Sequence, residues 1–427
     1  MIRHNPEGVN VDYGRCGLHL PLDHELANWV VIEPDEIALL NNFEEAFKAA
    51  VNHPVGSPPL SDIVSPDDKI VIVTSDNTRP VPNKILIPAI IRACRLNPPQ
   101  VTILIGTGSH KPHTEFELTA LLGEDLMRGC RVICHDAGFK NDLVDLGITH
   151  SGLPVHINRT YMEADKKIVI GYIEPHFFAG YSGGAKGICP AICGLETIKK
   201  FHSYQIIADP HSDYGYLENN PQQRLAREAV SVAPPDFLIN VTLNSKKEVT
   251  GIYAGDFIEA HRIGSKAVEE SSMVQVSHRF PIVITSNCGY PLDQNLYQTV
   301  KGIWAAARIV EEGGAILVIS ECSKGLPAGG NFEKILSGMA NDKYLSPKLP
   351  EIFSDLADRW QVQKLAQAQE KASIYLYSNL SHEQTALCKM AKSIEIKSNL
   401  AALSGSLGIK PNIAILPRGP LSIPIIT

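Results

Sequence analysis

The chain has 427 residues, 44% apolar and 20% charged, with a formal net charge of −7. That length exceeds what one hydrophobic core ordinarily supports, so two or three domains are expected. No basic stripe suggests a nucleic-acid partner, no apolar run approaches the roughly 18 residues of a membrane span, and the first six residues carry no signal-like apolar core, so a cytoplasmic protein is expected.

Short β-branched runs alternate with helical stretches along the chain. A buried strand over 69–74 leads to a helix over 83–96, and a strand over 101–105 to a helix over 114–127, whose start is marked by the capping-box spacing of Thr114 and Glu117. A strand over 167–172 enters a glycine-rich turn, followed by a helix over 194–207, strands over 236–242 and 248–252, and a polar helix over 256–272. A second series then begins: strand 281–285, helix 296–311, strand 314–320, helices near 349–370 and 381–391, and strands 373–378 and 412–416. Four- to eight-residue apolar strands separated by helices predict an α/β fold with mainly parallel sheets. The boundary falls near residue 276, giving an N-terminal domain over 1–275 and a C-terminal α/β domain over 276–427, with the active site in the cleft between them.

The nine cysteines, at 16, 94, 130, 134, 189, 193, 288, 322 and 388, form no repeated CxxC spacing. They give neither a disulfide framework nor a zinc ribbon. Cys189 and Cys193 read as small packing residues close to the glycine-rich turn.

Ligand sites of open α/β sheets lie at the carboxyl ends of strands, and four polar, Gly/Pro-rich loops fall there. They are 75–80 (SDNTRP), 106–110 (GTGSH), 174–186 (EPHFFAGYSGGAK) and 289–301 (GYPLDQNLYQTVK). Asp76, Arg79, His110, His176 and Lys301 can thereby converge. Two histidines suit paired acid and base work, and an arginine with a lysine suits a carboxylate or phosphate. Gly180, Gly183 and Gly184 suit close backbone approach to a ligand. The phosphate-loop pattern needs Gly before its Lys and Ser or Thr after it, and Ala185 and Gly187 break it. His202, alone on the next helix, is a poor metal site unless a ligand other than protein completes it. These residues point to an enzyme on a small anionic substrate, with a nucleotide or metal-bearing cofactor near Lys186.

In the same order over nearly the whole chain, the four motifs resemble those of the nickel-dependent lactate racemase family. The resemblance implies a nickel–pincer nucleotide, a pyridinium mononucleotide bearing two thiocarboxyl groups, linked covalently to Lys186, with His202 as the protein ligand to nickel. It implies His110 and His176 as catalytic residues and Asp76, Asn77, Thr78 and Arg79 as cofactor-binding residues. Arg79, Tyr297, Gln298, Lys301 and Trp360 would contact the substrate. The implied reaction inverts C2 of a 2-hydroxy acid by proton-coupled hydride transfer, and it implies cofactor-synthesis enzymes as partners. The substrate stays open among lactate, longer or aromatic 2-hydroxy acids, diacids and sugar acids. Two other readings stand beside it: a cofactor-independent epimerase that removes the α-proton with its histidine pair, and a non-catalytic nickel or cofactor carrier.

Overall fold

The computed structural model describes residues 1–327, 330–349, 353 and 355–427. They divide into two compact units, Glu36–Ser271 and Met1–Asp35 with Ser272–Thr427. Each unit is a mixed α/β structure around a mainly parallel sheet, as expected from the alternation of apolar strands and helices.

The expectation of one continuous unit over 1–275 differs from this division at its start. The first 35 residues belong with the C-terminal half because strand Asn28–Ile32 pairs in parallel with Asn412–Leu416. That pairing brings Trp29, 1% exposed, into the same core as Ile282, Leu317 and Ile415. Nothing local in the N-terminal hairpins announces a partner that lies almost the whole chain away.

In unit Glu36–Ser271 the sheet order is Val249–Gly255, Phe237–Leu243, Lys166–Tyr172, Ile70–Ser75, Val101–Gly106, Arg131–Cys134. All neighbours are parallel except the first pair. Ile70, Ile72, Ile103, Ile168 and Ile239 carry one face of the sheet into a core with helices Phe43–Asn52 and Asn83–Ala93. In the other unit the order is Ile2–His4, Asn28–Ile32, Asn412–Leu416, Phe280–Ser286, Val310–Ile319, Ala372–Tyr377, Ala391–Ser393, and only the Ile2–His4 pairing is antiparallel.

Several expected helices are shorter or divided. The 114–127 helix is two, Glu115–Leu122 and Glu124–Gly129, with Gly123 ending one and starting the other, and the Thr114–Glu117 capping box is present. The 194–207 helix stops at Leu195–Phe201, where His202 is the C-cap, and resumes at Tyr204–Ala208. The 296–311 helix ends at Ala307, because Val310 already pairs with Phe280 in the sheet, so the polar stretch after it is strand. The helices expected near 349–370 and 381–391 are Arg359–Lys371 and His382–Leu387, and residues 350–352 and 354 of the first lie outside the described residues.

Candidate active site

The sheet order of unit Glu36–Ser271 explains why its motifs meet. From Ile70–Ser75 the chain proceeds outward through Val101–Gly106 to Arg131–Cys134, then returns to place Lys166–Tyr172 on the other side of Ile70–Ser75. Open parallel sheets bind ligands at such a reversal of strand order, outside the carboxyl ends of the strands. The loop 76–80 follows one strand and 173–176 the other. They are joined by an ion pair, Arg79 Nε to Glu174 Oε1 at 3.0 Å. The two side chains are only 18% and 9% exposed, so this pair fixes the loops more firmly than a surface pair would.

Asp76 is the centre of the first loop. Its Oδ1 accepts from the Thr78 backbone N–H at 3.1 Å and from Thr78 Oγ1 at 2.5 Å. Its Oδ2 lies 2.6 Å from His110 Nδ1, which the 106–110 loop delivers from the neighbouring strand. Burial alone would raise the Asp76 carboxyl, but the His110 charge and hydrogen bond, Thr78 and Arg79 outweigh it and hold it at about 2. The ionised Asp76 accepts a hydrogen bond from His110 Nδ1–H, which leaves the Nε2 lone pair as the basic position. Asn77 donates its backbone N–H to His113 Nε2 at 3.2 Å.

His176 lies in the two-residue strand Pro175–His176, paired with Gly180–Tyr181, and is 8% exposed. Its Nδ1 accepts the backbone N–H groups of Phe178 and Ala179, each at 3.2 Å, which selects the tautomer protonated at Nε2. The tight hairpin is held from beneath: Gln223 Nε2 donates to the carbonyls of Ala179 and Tyr181 at 2.8 and 2.9 Å, and Asn220 Nδ2 to that of Phe178 at 2.8 Å.

Lys186 follows in the 3-10 turn Gly184–Gly187, with its Nζ 5.5 Å from the centroid of the Phe201 ring. The residue reaches the surface in part, yet burial of its amine, with the nearby Arg79 charge, lowers its pKa to about 7 against an opposing effect from Cys189. Adjacent to Phe201, His202 is 8% exposed, and its Nδ1 donates to the Ile198 carbonyl at 2.9 Å. That bond presents the Nε2 lone pair, the state a metal ligand requires. Phe178 meets the His202 ring edge-on at 6.2 Å and the His176 ring at 5.9 Å, so these motifs share one aromatic neighbourhood. Cys189 and Cys193 are fully buried, and the hydrogen bond between them together with burial pushes the Cys193 thiol well up, as suits packing residues.

Four of the expected site residues lie in the other unit. Tyr297, Gln298 and Lys301 are on helix Leu296–Ala307, and Trp360 opens helix Arg359–Lys371. Trp360 is 3% exposed and donates from Nε1 to Tyr297 Oη at 3.1 Å. Gln298 is buried, and its Oε1 has no hydrogen-bond partner among the described residues.

Sequence reading missed the polar residues beneath these motifs. His135 donates from Nε2 to the Cys193 carbonyl at 2.8 Å and accepts from Asn158 Nδ2 at 3.1 Å. Ser182 Oγ donates to the Tyr172 carbonyl at 2.7 Å and accepts from the Glu174 N–H at 2.9 Å. Asn240 and His261 lie under the glycine turn. Asn240 was the one detectable signal, an amide inside the apolar strand Phe237–Leu243. His261 lies on a helix that reads as a solvated face.

Comparison with known proteins gives the family of the chain. Residues 13–215 match the lactate racemase N-terminal domain and residues 276–425 the lactate racemase C-terminal domain. A lactate racemase of Thermoanaerobacterium thermosaccharolyticum is 35% identical over 84% of this chain and 85% of its own length. One from Lactiplantibacillus plantarum is 35% identical over 76% of this chain and 77% of its own. The solved lactate racemase apoprotein of T. thermosaccharolyticum covers 98% of this chain and 100% of its own with a TM-score of 0.88 at 31% identity. The fold and these relatives define an enzyme of the isomerase class. The chain belongs to the lactate racemase family. Among the described residues, no helix is long and apolar enough to cross a membrane.

Proposed function

We propose that this protein inverts C2 of a 2-hydroxy acid, lactate or a close analogue, with a nickel–pincer nucleotide carried on Lys186. The observation that carries the reading is a carboxylate-oriented imidazole, His110 on Asp76, in the same unit as an amine whose pKa is lowered to about 7. Relatives named lactate racemase, at 35% identity, support the substrate class.

The residues present fit such a cofactor. A lysine that is substantially neutral near pH 7 is prepared to form an amide-type bond, which a fully charged ammonium is not. His202 presents an Nε2 lone pair because its Nδ1–H is committed to Ile198. Nickel would be held chiefly by cofactor donors, with His202 as the one protein ligand. When bound, the cofactor would supply the acceptor and donor of the C2 hydride.

The chain's own residues handle the proton and the geometry. His110 Nε2, set as a base by Asp76, would take the proton of the 2-hydroxyl. His176 would stand on the other side as its counterpart, so in each passage one imidazole would take the hydroxyl proton and the other would return one to the product. Arg79 would offer its guanidinium to the substrate carboxylate, and Tyr297, Gln298, Lys301 and Trp360 would complete recognition. Positioning supplies most of the rate in such a scheme.

The test is a chiral assay of protein produced together with nickel–pincer nucleotide synthesis enzymes, over lactate, an aromatic 2-hydroxy acid, a hydroxy diacid and a sugar acid. Racemisation of at least one of them, abolished by His110→Ala and by His176→Ala, is expected. Loaded protein inactive on all four classes, or activity surviving loss of either histidine, overturns the reading.

A further inference from the structure

The turn 182–184 precedes Lys186 and is gripped from two sides by residues outside the four motifs. On one side is His261, 1% exposed, on helix Glu259–Ser272. Its Nε2 donates to the Ser182 carbonyl at 2.8 Å, with Ser265 Oγ 3.2 Å from the same nitrogen. Its ring fills the space beside Gly184: a Cβ built there, at φ +56°, would lie 2.5 Å from His261 Cγ and Nδ1. On the other side is Asn240, fully buried, whose Oδ1 accepts the Gly184 N–H at 2.8 Å. A Cβ on Gly183, at φ +81°, would lie 2.6 Å from that oxygen. Both glycines are thus demanded by the protein's own side chains as well as by their positive φ.

The grip is transmitted to the lysine. The Lys186 backbone N–H donates to the Gly183 carbonyl at 3.2 Å, so the residue is bonded directly to the clamped turn. Ser182 also ties the turn to Tyr172 and Glu174, and Glu174 holds Arg79, whose charge reaches the Lys186 amine. We infer that His261 and Asn240 are positioning residues that clamp the 182–184 turn and thereby hold the Lys186 amine in its desolvated place. This rests on the reading of Lys186 as the cofactor attachment point. The clamp works with a neutral ring. Burial, with the Arg227 and Lys186 charges, lowers His261 to about 4 against the Ser182 carbonyl and Glu218, so no second cation arises beside Lys186 near neutral pH.

Lysine reactivity in the full chain without cofactor tests this. Limiting acetic anhydride, applied across pH 6–10 and read by peptide mass spectrometry, reports each lysine's neutral fraction, with exposed Lys246 as internal reference. In the wild type, Lys186 should titrate near 7. His261→Leu removes the donor and Asn240→Ala the acceptor, and each should raise the Lys186 midpoint by at least one pH unit. That is about five- to sixfold less neutral amine at pH 7. His261→Gln keeps an N–H and should stay within about threefold of wild type. Asn240→Ala tests the clamp independently should Leu at 261 not fold. A Lys186 profile in folded Asn240→Ala or His261→Leu protein equal to wild type overturns the clamp and leaves the attachment reading standing. A wild-type Lys186 that titrates like Lys246 overturns both.

Discussion

Asp76→Asn changes one charge at a position 4% exposed and leaves the side-chain shape intact. The native carboxylate accepts from Thr78 on one oxygen and faces His110 Nδ1 at 2.6 Å on the other. An asparagine oxygen can still satisfy Thr78, but its amide then points an N–H at His110 Nδ1. That nitrogen must become the acceptor, the ring proton moves to Nε2, and His110 can no longer take a proton there. Removing a general base costs about 10²–10⁴ in rate, and an orienting carboxylate behind a catalytic imidazole is worth about 10⁴ in a serine protease. A fall in kcat of at least a hundredfold is expected, with KM changed much less, because the ground-state contacts to substrate persist. The folded pKa is lowered from 3.8 to about 2, a little under two pH units, or about 2 kcal/mol. That stability is present above pH 3.8 and lost as pH falls through about 2, so the variant should unfold earlier in denaturant at pH 7 and nearly match wild type at pH 2. Chiral chromatography of the loaded variant gives the rate, and urea titration at both pH values gives the stability. A kcat within tenfold of wild type would refute the orienting role.

Three further outcomes follow from the same geometry. His202→Ala should keep the organic adduct on Lys186 by intact mass and lose nickel by metal analysis, and unchanged nickel would reassign the ligand. His261 is lowered from 6.5 to about 4, so the unfolded chain takes up a proton first as pH falls. Stability is therefore full above 6.5 and declines toward pH 4 by about 3 kcal/mol, and His261→Gln should flatten that decline in urea titrations at pH 7 and 4.5; equal declines would contradict the buried neutral ring. Trp360→Phe removes the donor to Tyr297 Oη and should cost about 1 kcal/mol of stability and raise KM more than it lowers kcat. Unchanged Tm and KM together would separate Trp360 from the site.

The α/β class and the strands that frame the site were legible because their apolar runs are short and carry their signal locally. Asp76, His110 and His176 were legible as residues at strand ends, and their placement at one sheet edge follows from the strand order. Their hydrogen-bond states were not, since the Asp76–His110 contact and the two N–H groups on His176 Nδ1 depend on loop conformation. The place of the first 35 residues was hidden because strand Asn28–Ile32 takes its partner from the far end of the chain. His261 was hidden for a different reason: on a helix of mostly charged and small residues, a fully buried histidine has the same local pattern as a solvated one.

Isotope retention at C2 tests the central claim most directly. A C2-deuterated 2-hydroxy acid that the loaded enzyme racemises should be inverted in ordinary water, and the product analysed by chiral separation with mass spectrometry. Hydride transfer, with His110 and His176 moving only the hydroxyl proton, should leave the deuterium at C2 of both enantiomers. Replacement of that deuterium by solvent hydrogen at the rate of inversion would show that the histidines abstract the C2 proton itself, and would contradict a hydride route on Lys186.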